Sequence, residues 1–173
     1  MQMSDKRVIA ASPDAVFAAL LSPDVLQACV PGAQTVTGSP QDGFEATVVQ
    51  KVGPVKATFK GAVAMSDLTE NEKLTITGEG KGGAAGFAKG GADVRLSAVE
   101  GGTELAYDVG AKVGGKLAQL GSRIIDGFAK KMADQFFTNL QEHLEGPKQE
   151  TAEDADESGD KKSGWFGRIT GNS

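Results

Sequence analysis

The feature that most constrains this chain is one long amphipathic run, from Gly114 to about Leu144, that follows only short extended segments and two brief helical signals. Its apolar residues Leu117, Leu120, Ile124, Phe128, Met132, Phe136 and Leu140 recur every three or four positions, the spacing of a single helical stripe. Steps of four rather than 3.6 residues carry the stripe about 40° around the helix each time, so its two ends are expected to press on different parts of a partner surface. Lys130, Lys131, Asp134, Gln135 and Glu142 fill the solvated side. Gly121 lies beside the stripe, where a missing side chain lets a helix approach its partner closely, at roughly 1 kcal/mol against alanine. One helix of this length must cover one sheet built from what precedes it.

The preceding segments supply that sheet. A first strand is expected from about Lys6 to Ala10, followed by Ser12-Pro13-Asp14, a cap with proline at the first helical position, opening a helix through Phe17, Leu20 and Leu21. Ser22-Pro23-Asp24 repeats the device and begins a shorter helix through Val25 and Leu26, which stops at Val30-Pro31-Gly32. Alternating patterns then mark strands over Phe44 to Val52, Val55 to Met65, Leu74 to Gly80, Gly86 to Val99 and Thr103 to Val113. Gly53-Pro54, Glu70-Asn71 and Gly101-Gly102 punctuate them as short turns between antiparallel neighbours. The order strand, helix, helix, strands, helix predicts an α+β helix-grip fold over residues 1–145, a curved antiparallel sheet around the last helix.

Alternation also predicts what faces inward. One set is Val55, Ala57, Phe59, Gly61, Val63 and Met65, with Lys56, Thr58 and Lys60 outside; others are Phe44, Ala46 and Val48, then Leu74, Ile76, Gly78 and Gly80. Ala88, Gly90, Ala92, Val94 and Leu96, then Leu105, Tyr107, Val109, Ala111 and Val113 complete the wall. Many of these are alanine or glycine, and the chain's 24 glycines are about twice the typical share of roughly 7%. Small residues on a curved sheet do not fill the space beneath a long helix to native density, so an apolar pocket is expected there.

Charge and motifs exclude several functions. A net charge of −5 leaves no basic surface of the kind that nucleic acid requires. One cysteine, Cys29, and one histidine, His143, provide no metal set and no internal disulfide. Cys29 reads as a small buried residue, and His143 as a cation on the last helical turn. Gly78 to Gly83 matches G-x-G-x-x-G, yet no helix opens after it to receive a phosphate. Asp93 and Arg95 are candidates for an exposed pair on an outer face. No acid and base pair, and hence no catalytic residue, emerges. The N-terminus lacks a secretory pattern and no window has the length of a spanning helix, so a cytoplasmic location is expected.

Residues 146–173 differ in composition. Glu150, Glu153, Asp154, Asp156, Glu157 and Asp160 form an acidic run expected to be a disordered linker. Beyond it Trp165, Phe166 and Ile169 stand beside Lys161, Lys162 and Arg168, an aromatic and basic tip suited to a membrane surface or an acidic partner. A tip this small binds weakly and reversibly by itself.

The segments CVPGAQTV, KVGPVKATFKG, GEGKGGAAGFAKGGADV, GGTELAYDVGAKVGGKLAQLGSR and KKMADQFFTNL, taken in this order, resemble the carbon monoxide dehydrogenase G-subunit (CoxG) family of the START-like (SRPBCC) helix-grip superfamily. The resemblance spans nearly all of residues 1–145. It implies a non-catalytic accessory protein of an aerobic, molybdenum-containing carbon monoxide dehydrogenase or related hydroxylase, recruiting that enzyme to the cytoplasmic membrane. Such an enzyme passes electrons to quinones buried in lipid, and an apolar pocket offers a non-covalent place for a quinone or other lipid-like molecule, with no metal or covalent cofactor. Val48, Val63, Leu105, Val109, Leu120, Ile124 and Phe128 are the expected lining, and Trp165, Phe166, Arg168 and Ile169 the expected membrane or partner tip. Val30-Pro31-Gly32 and the glycine-rich hairpin are candidate gates. The alternatives are an assembly or docking factor with a filled interior, and a small cavity enzyme of cyclase or hydrolase type.

Overall fold

The computed structural model describes residues 1–146; the acidic run and the tip with Trp165, Phe166, Arg168 and Ile169 lie outside the described residues. Seven strands form one sheet in the order β1-β7-β6-β5-β4-β3-β2, and every neighbouring pair is antiparallel. Their ranges are β1 Gln2–Ile9, β2 Ala33–Ser39, β3 Gly43–Val52, β4 Val55–Thr69, β5 Lys73–Lys81, β6 Phe87–Val99 and β7 Gly102–Gly114. Helices α1 (Pro13–Leu20) and α2 (Pro23–Cys29) join β1 to β2, and α3 (Lys116–Gln119) and α4 (Ser122–Glu145) follow β7. This is the expected α+β helix-grip architecture.

Local chemistry sets the boundaries. Pro13 and Pro23 stand in the first turns of α1 and α2, and the Ser22 side chain accepts from the Val25 amide. Two elements differ from the sequence reading. Ala33–Ser39 is a strand, β2, that the alternation did not reveal, because only Val36 among its residues is buried. An edge strand paired on one side only shows little period-two contrast. The final run is two helices rather than one: Gly121 has φ +90° and precedes α4 as its cap, so the glycine breaks the run. Its supposed role in close approach also fails, since a Cβ built there meets nothing within 4 Å. The first strand begins at Gln2 rather than near Lys6, and β4 continues to Thr69.

The core is lopsided. Ile9, Val16, Phe17, Leu20, Leu74, Val94, Leu96, Leu105, Tyr107, Phe137 and Leu140 pack together at one end of the sheet beneath α1, α2 and the C-terminal half of α4. Phe137, rather than Phe136, is the buried aromatic; it stacks on Tyr107 at 4.5 Å between ring centroids, with Phe136 edge-on to it at 4.9 Å. The drift of the stripe explains the exchange, since the side of α4 facing the packed end lies further around the helix than the side at its start. Thr103 is the one polar residue in this end among the described residues, and its hydroxyl donates to the Ala11 carbonyl at 2.7 Å. Thr103→Val strands that carbonyl, and chemical denaturation should record a loss of about 1–2 kcal/mol.

Candidate functional site: an apolar hollow under the long helix

Strand register sorts the inward residues into rows across the sheet. Nearest the packed end, Leu105 faces Leu96, and Tyr107, Val94 and Leu74 align beside them; all are buried. The next row is Val109, Ala92, Ile76 and Met65, each partly buried. Beyond it come Ala111, Gly90, Gly78, Val63 and Phe44, then Val113, Ala88, Gly80, Gly61 and Ala46. Seven of these ten are alanine or glycine, so the two rows carry little side-chain volume apart from Val63, Val113 and the buried Phe44 on β3. Val48 and Phe59, paired between β3 and β4, close the far side.

The helix that spans these rows is fixed at its ends. At its C-terminal half, Asn139 Nδ2 donates to the Cys29 carbonyl at 2.9 Å, Gln141 Nε2 to the Val8 carbonyl at 3.3 Å, and Glu145 accepts from the Ala10 amide at 2.8 Å. At its start, Ile124 and Leu120 lie over the β3–β4 turn, 3.5 and 3.9 Å from where a Cβ on Gly53 would stand. Between these moorings Ile125, Phe128 and Met132 remain only partly buried although they are apolar and on the span. Partly buried apolar side chains above two rows rich in alanine and glycine mark the space between α4 and the sheet as the candidate site, bounded at the α3 end by the buried Val52, Ala85 and Leu117.

Of the expected lining residues, Val48, Val63, Val109, Leu120 and Phe128 are all partly buried, with Val109 packed against the core cluster, and Ile124 is 41% exposed. Leu105 is fully buried in the packed end and contributes to the core instead. Ala46, Ala88, Gly61, Gly78 and Gly80, which alternation already set facing inward, are brought into one row or the next by strand register, which becomes readable only once turns are placed.

The sheet wall of the hollow holds no ionisable side chain. Tyr107 is the inward titratable group and lies in the packed end, where burial, then Asp5 and Asp134, push its phenol up from its ordinary value. It is therefore neutral under physiological conditions. Cys29, the last residue of α2, is buried, and burial pushes its thiol up as well, which keeps it a thiol rather than a nucleophilic thiolate. His143 is exposed on the last turn of α4. Asp93 and Arg95 do not pair with each other: Asp93 accepts from Thr75 Oγ1 at 2.9 Å, while Arg95 lies 3.0 Å from Asp108, which the Ser4 hydroxyl also contacts. The Val30-Pro31-Gly32 segment is pinned, with Asn139 on Cys29, Gln50 on the Pro31 carbonyl and the Val49 amide on Gly32 at 2.9 Å. The 3-10 turn Gly83–Ala85, between β5 and β6, carries no such side-chain ties among the described residues.

An open trough of about 1150 Å³ is lined by outward residues such as Glu45, Glu79 and Lys112 together with Val63, Gly78 and Gly90 of the inward rows. Among the described residues no group of three His, Cys, Asp or Glu side chains is placed to hold a metal, and no helix is long and apolar enough to cross a membrane.

These features define a helix-grip protein of the START-like class with an apolar interior. The profile of the carbon monoxide dehydrogenase G-subunit (CoxG) family matches residues 6–145, and the chain belongs to that family. Solved structures share the fold. A conserved protein from Geobacillus kaustophilus is 23% identical with a TM-score of 0.78, covering 84% of this chain and 95% of its own. A protein from Rhizobium leguminosarum is 17% identical at 0.65, with 84% and 94% covered, and one from Chromobacterium violaceum is 17% identical at 0.62, with 84% and 98% covered. No curated protein matches the sequence.

Proposed function

We propose that this chain is a non-catalytic accessory protein of a molybdenum-containing carbon monoxide dehydrogenase or a related hydroxylase, carrying an apolar, lipid-like molecule such as a quinone. It works in the cytoplasm against the inner face of the cell membrane, where it brings the enzyme and the lipid-borne electron acceptor together. Family membership supports the association with the dehydrogenase. The single observation that carries the carrier reading is the pair of rows rich in alanine and glycine facing a helix whose Ile125, Phe128 and Met132 are only partly buried. A hydrocarbon wall without acid or base favours holding a guest over transforming it. Val48, Val63, Val109, Leu120, Ile124 and Phe128 supply affinity by apolar contact, and backbone groups at the rim orient the polar head.

Trp165, Phe166, Ile169 and Arg168 add a weak membrane or partner contact of their own in this reading. Organic extraction of purified protein followed by mass spectrometry tests the carrier role. A prenylated or other lipid-like molecule is expected, and its absence from repeated preparations removes the guest. Deleting residues 147–173 is expected to lower recovery of the dehydrogenase with membranes severalfold while extraction still yields the guest. Unchanged recovery would rule the tip out.

A further inference from the structure

Across the β3–β4 hairpin Lys51 stands directly opposite Lys56, and across β4–β5 Lys60 stands directly opposite Lys81. Like charges in facing positions destabilise a sheet. Arg123 sits in the first turn of α4, which holds no acidic residue, so it opposes the helix dipole. Among the described residues none of these five cations has a carboxylate within the 4.0 Å of an ion pair. All five lie toward the end of the sheet formed by the β3–β4 and β5–β6 turns and the start of α4. Two large apolar side chains are exposed among them: Ile124, next to Arg123, and Phe87, which faces Lys81 across β5–β6. The opposite end, at the β4–β5 and β6–β7 turns, carries Asp67, Glu70, Glu72 and Glu100 around Lys73, which faces Arg95, and exposes Leu68 and Val99 among those carboxylates. One end of the sheet is thus basic on balance and the other acidic on balance, although the net charge is −5.

We propose that this end docks on an anionic phospholipid surface, with Lys51, Lys56, Lys60, Lys81 and Arg123 against the headgroups and Ile124 and Phe87 inserted beneath them. Charge arrangements that weaken the fold persist where a function requires them. Cations alone suit an acidic protein equally well, but exposed apolar side chains standing among cations, rather than among carboxylates as Leu68 and Val99 do, favour lipid. Docking here rests on the carrier reading in one respect: it sets the α3 end of the candidate site against the bilayer, so a guest crosses without meeting water. Each cation near an anionic surface contributes comparably, so removing four should weaken partition on the order of a hundredfold or more.

The test uses the full chain in a Trp165→Ala/Phe166→Ala background, so that the tip contributes nothing, and flotation with vesicles of phosphatidylcholine with or without phosphatidylglycerol. Binding is expected only with phosphatidylglycerol, falling with added salt, and lost in Lys51→Gln/Lys56→Gln/Lys60→Gln/Lys81→Gln. That variant should melt no lower than its parent, because facing like charges are removed. Ile124→Ser provides a second variant, expected to weaken binding about tenfold or less. Equal binding by the lysine variant, equal binding to neutral vesicles, or no vesicle binding together with lysine-dependent binding to the dehydrogenase would each overturn the proposal. A decyl-tailed quinone titrated into the same proteins separates the two ideas. Lysine-dependent docking without quinone binding sinks the carrier reading alone, and quinone binding without docking sinks this one alone.

Discussion

Gly78→Leu/Gly80→Leu should abolish binding of an apolar guest, weakening it on the order of a hundredfold, while leaving thermal stability unchanged or raised. Both glycines face inward from β5 in adjacent small-residue rows. A Cβ at Gly80 meets Phe59 Cβ at 3.9 Å and one at Gly78 meets Val63 Cγ2 at 3.4 Å, ordinary contact distances, and neither backbone requires a positive φ. The added side chains therefore extend into the hollow without displacing the strand. Replacing glycine within a strand removes a conformational cost of about 0.5–1 kcal/mol at each position. The opposite outcome follows from a filled interior: overpacking costs typically about 1–3 kcal/mol, so a clear drop in melting temperature would contradict the hollow. Titration with a short-tailed quinone and a thermal melt on the same samples decide between them.

Period-two alternation made most of this wall readable in advance. Five strands, the two proline-started helices and the inward sets of β4, β5, β6 and β7 follow from local pattern, because each pairs a buried face with a solvated one. What stayed hidden depended on partners distant in sequence. β2 shows almost no alternation because it is an edge with one buried residue, Val36. Gly121 ends a helix rather than thinning one, and that turns on its φ of +90°, which periodicity does not encode. Among the residues expected to line a pocket, Leu105 is fully buried in the packed end instead, since inward direction alone does not say at which end of a strand the helix closes down. Trp165 and its companions in the tip remain a matter of composition and lie outside the described residues.

Leu140→Ala is expected to remove about 2–5 kcal/mol of stability, the range for truncating a fully buried leucine. Leu140 is 0% exposed and belongs to the same cluster as Leu20, Leu105 and Phe137. Its loss opens a void where α4 presses on the packed end, the place that also carries the Asn139 bond to Cys29. The same truncation at Phe128, which is partly buried above the small-residue rows, should cost under half as much, because less of its surface leaves water on folding. Urea denaturation of both variants measures the contrast, and equal losses would mean that α4 is as tightly seated in the middle as at its end.

A body whose rigidity is concentrated at one pole can afford tolerance at the other. Backbone amides of β7 near Leu105 and Tyr107 should exchange with deuterium only through global opening, whereas those of β5 near Gly78 and Gly80 should exchange through small local excursions. Such a division lets related chains alter the shape of what they accept by trading alanine, glycine and valine in the loose half. The half that secures folding need never register the change.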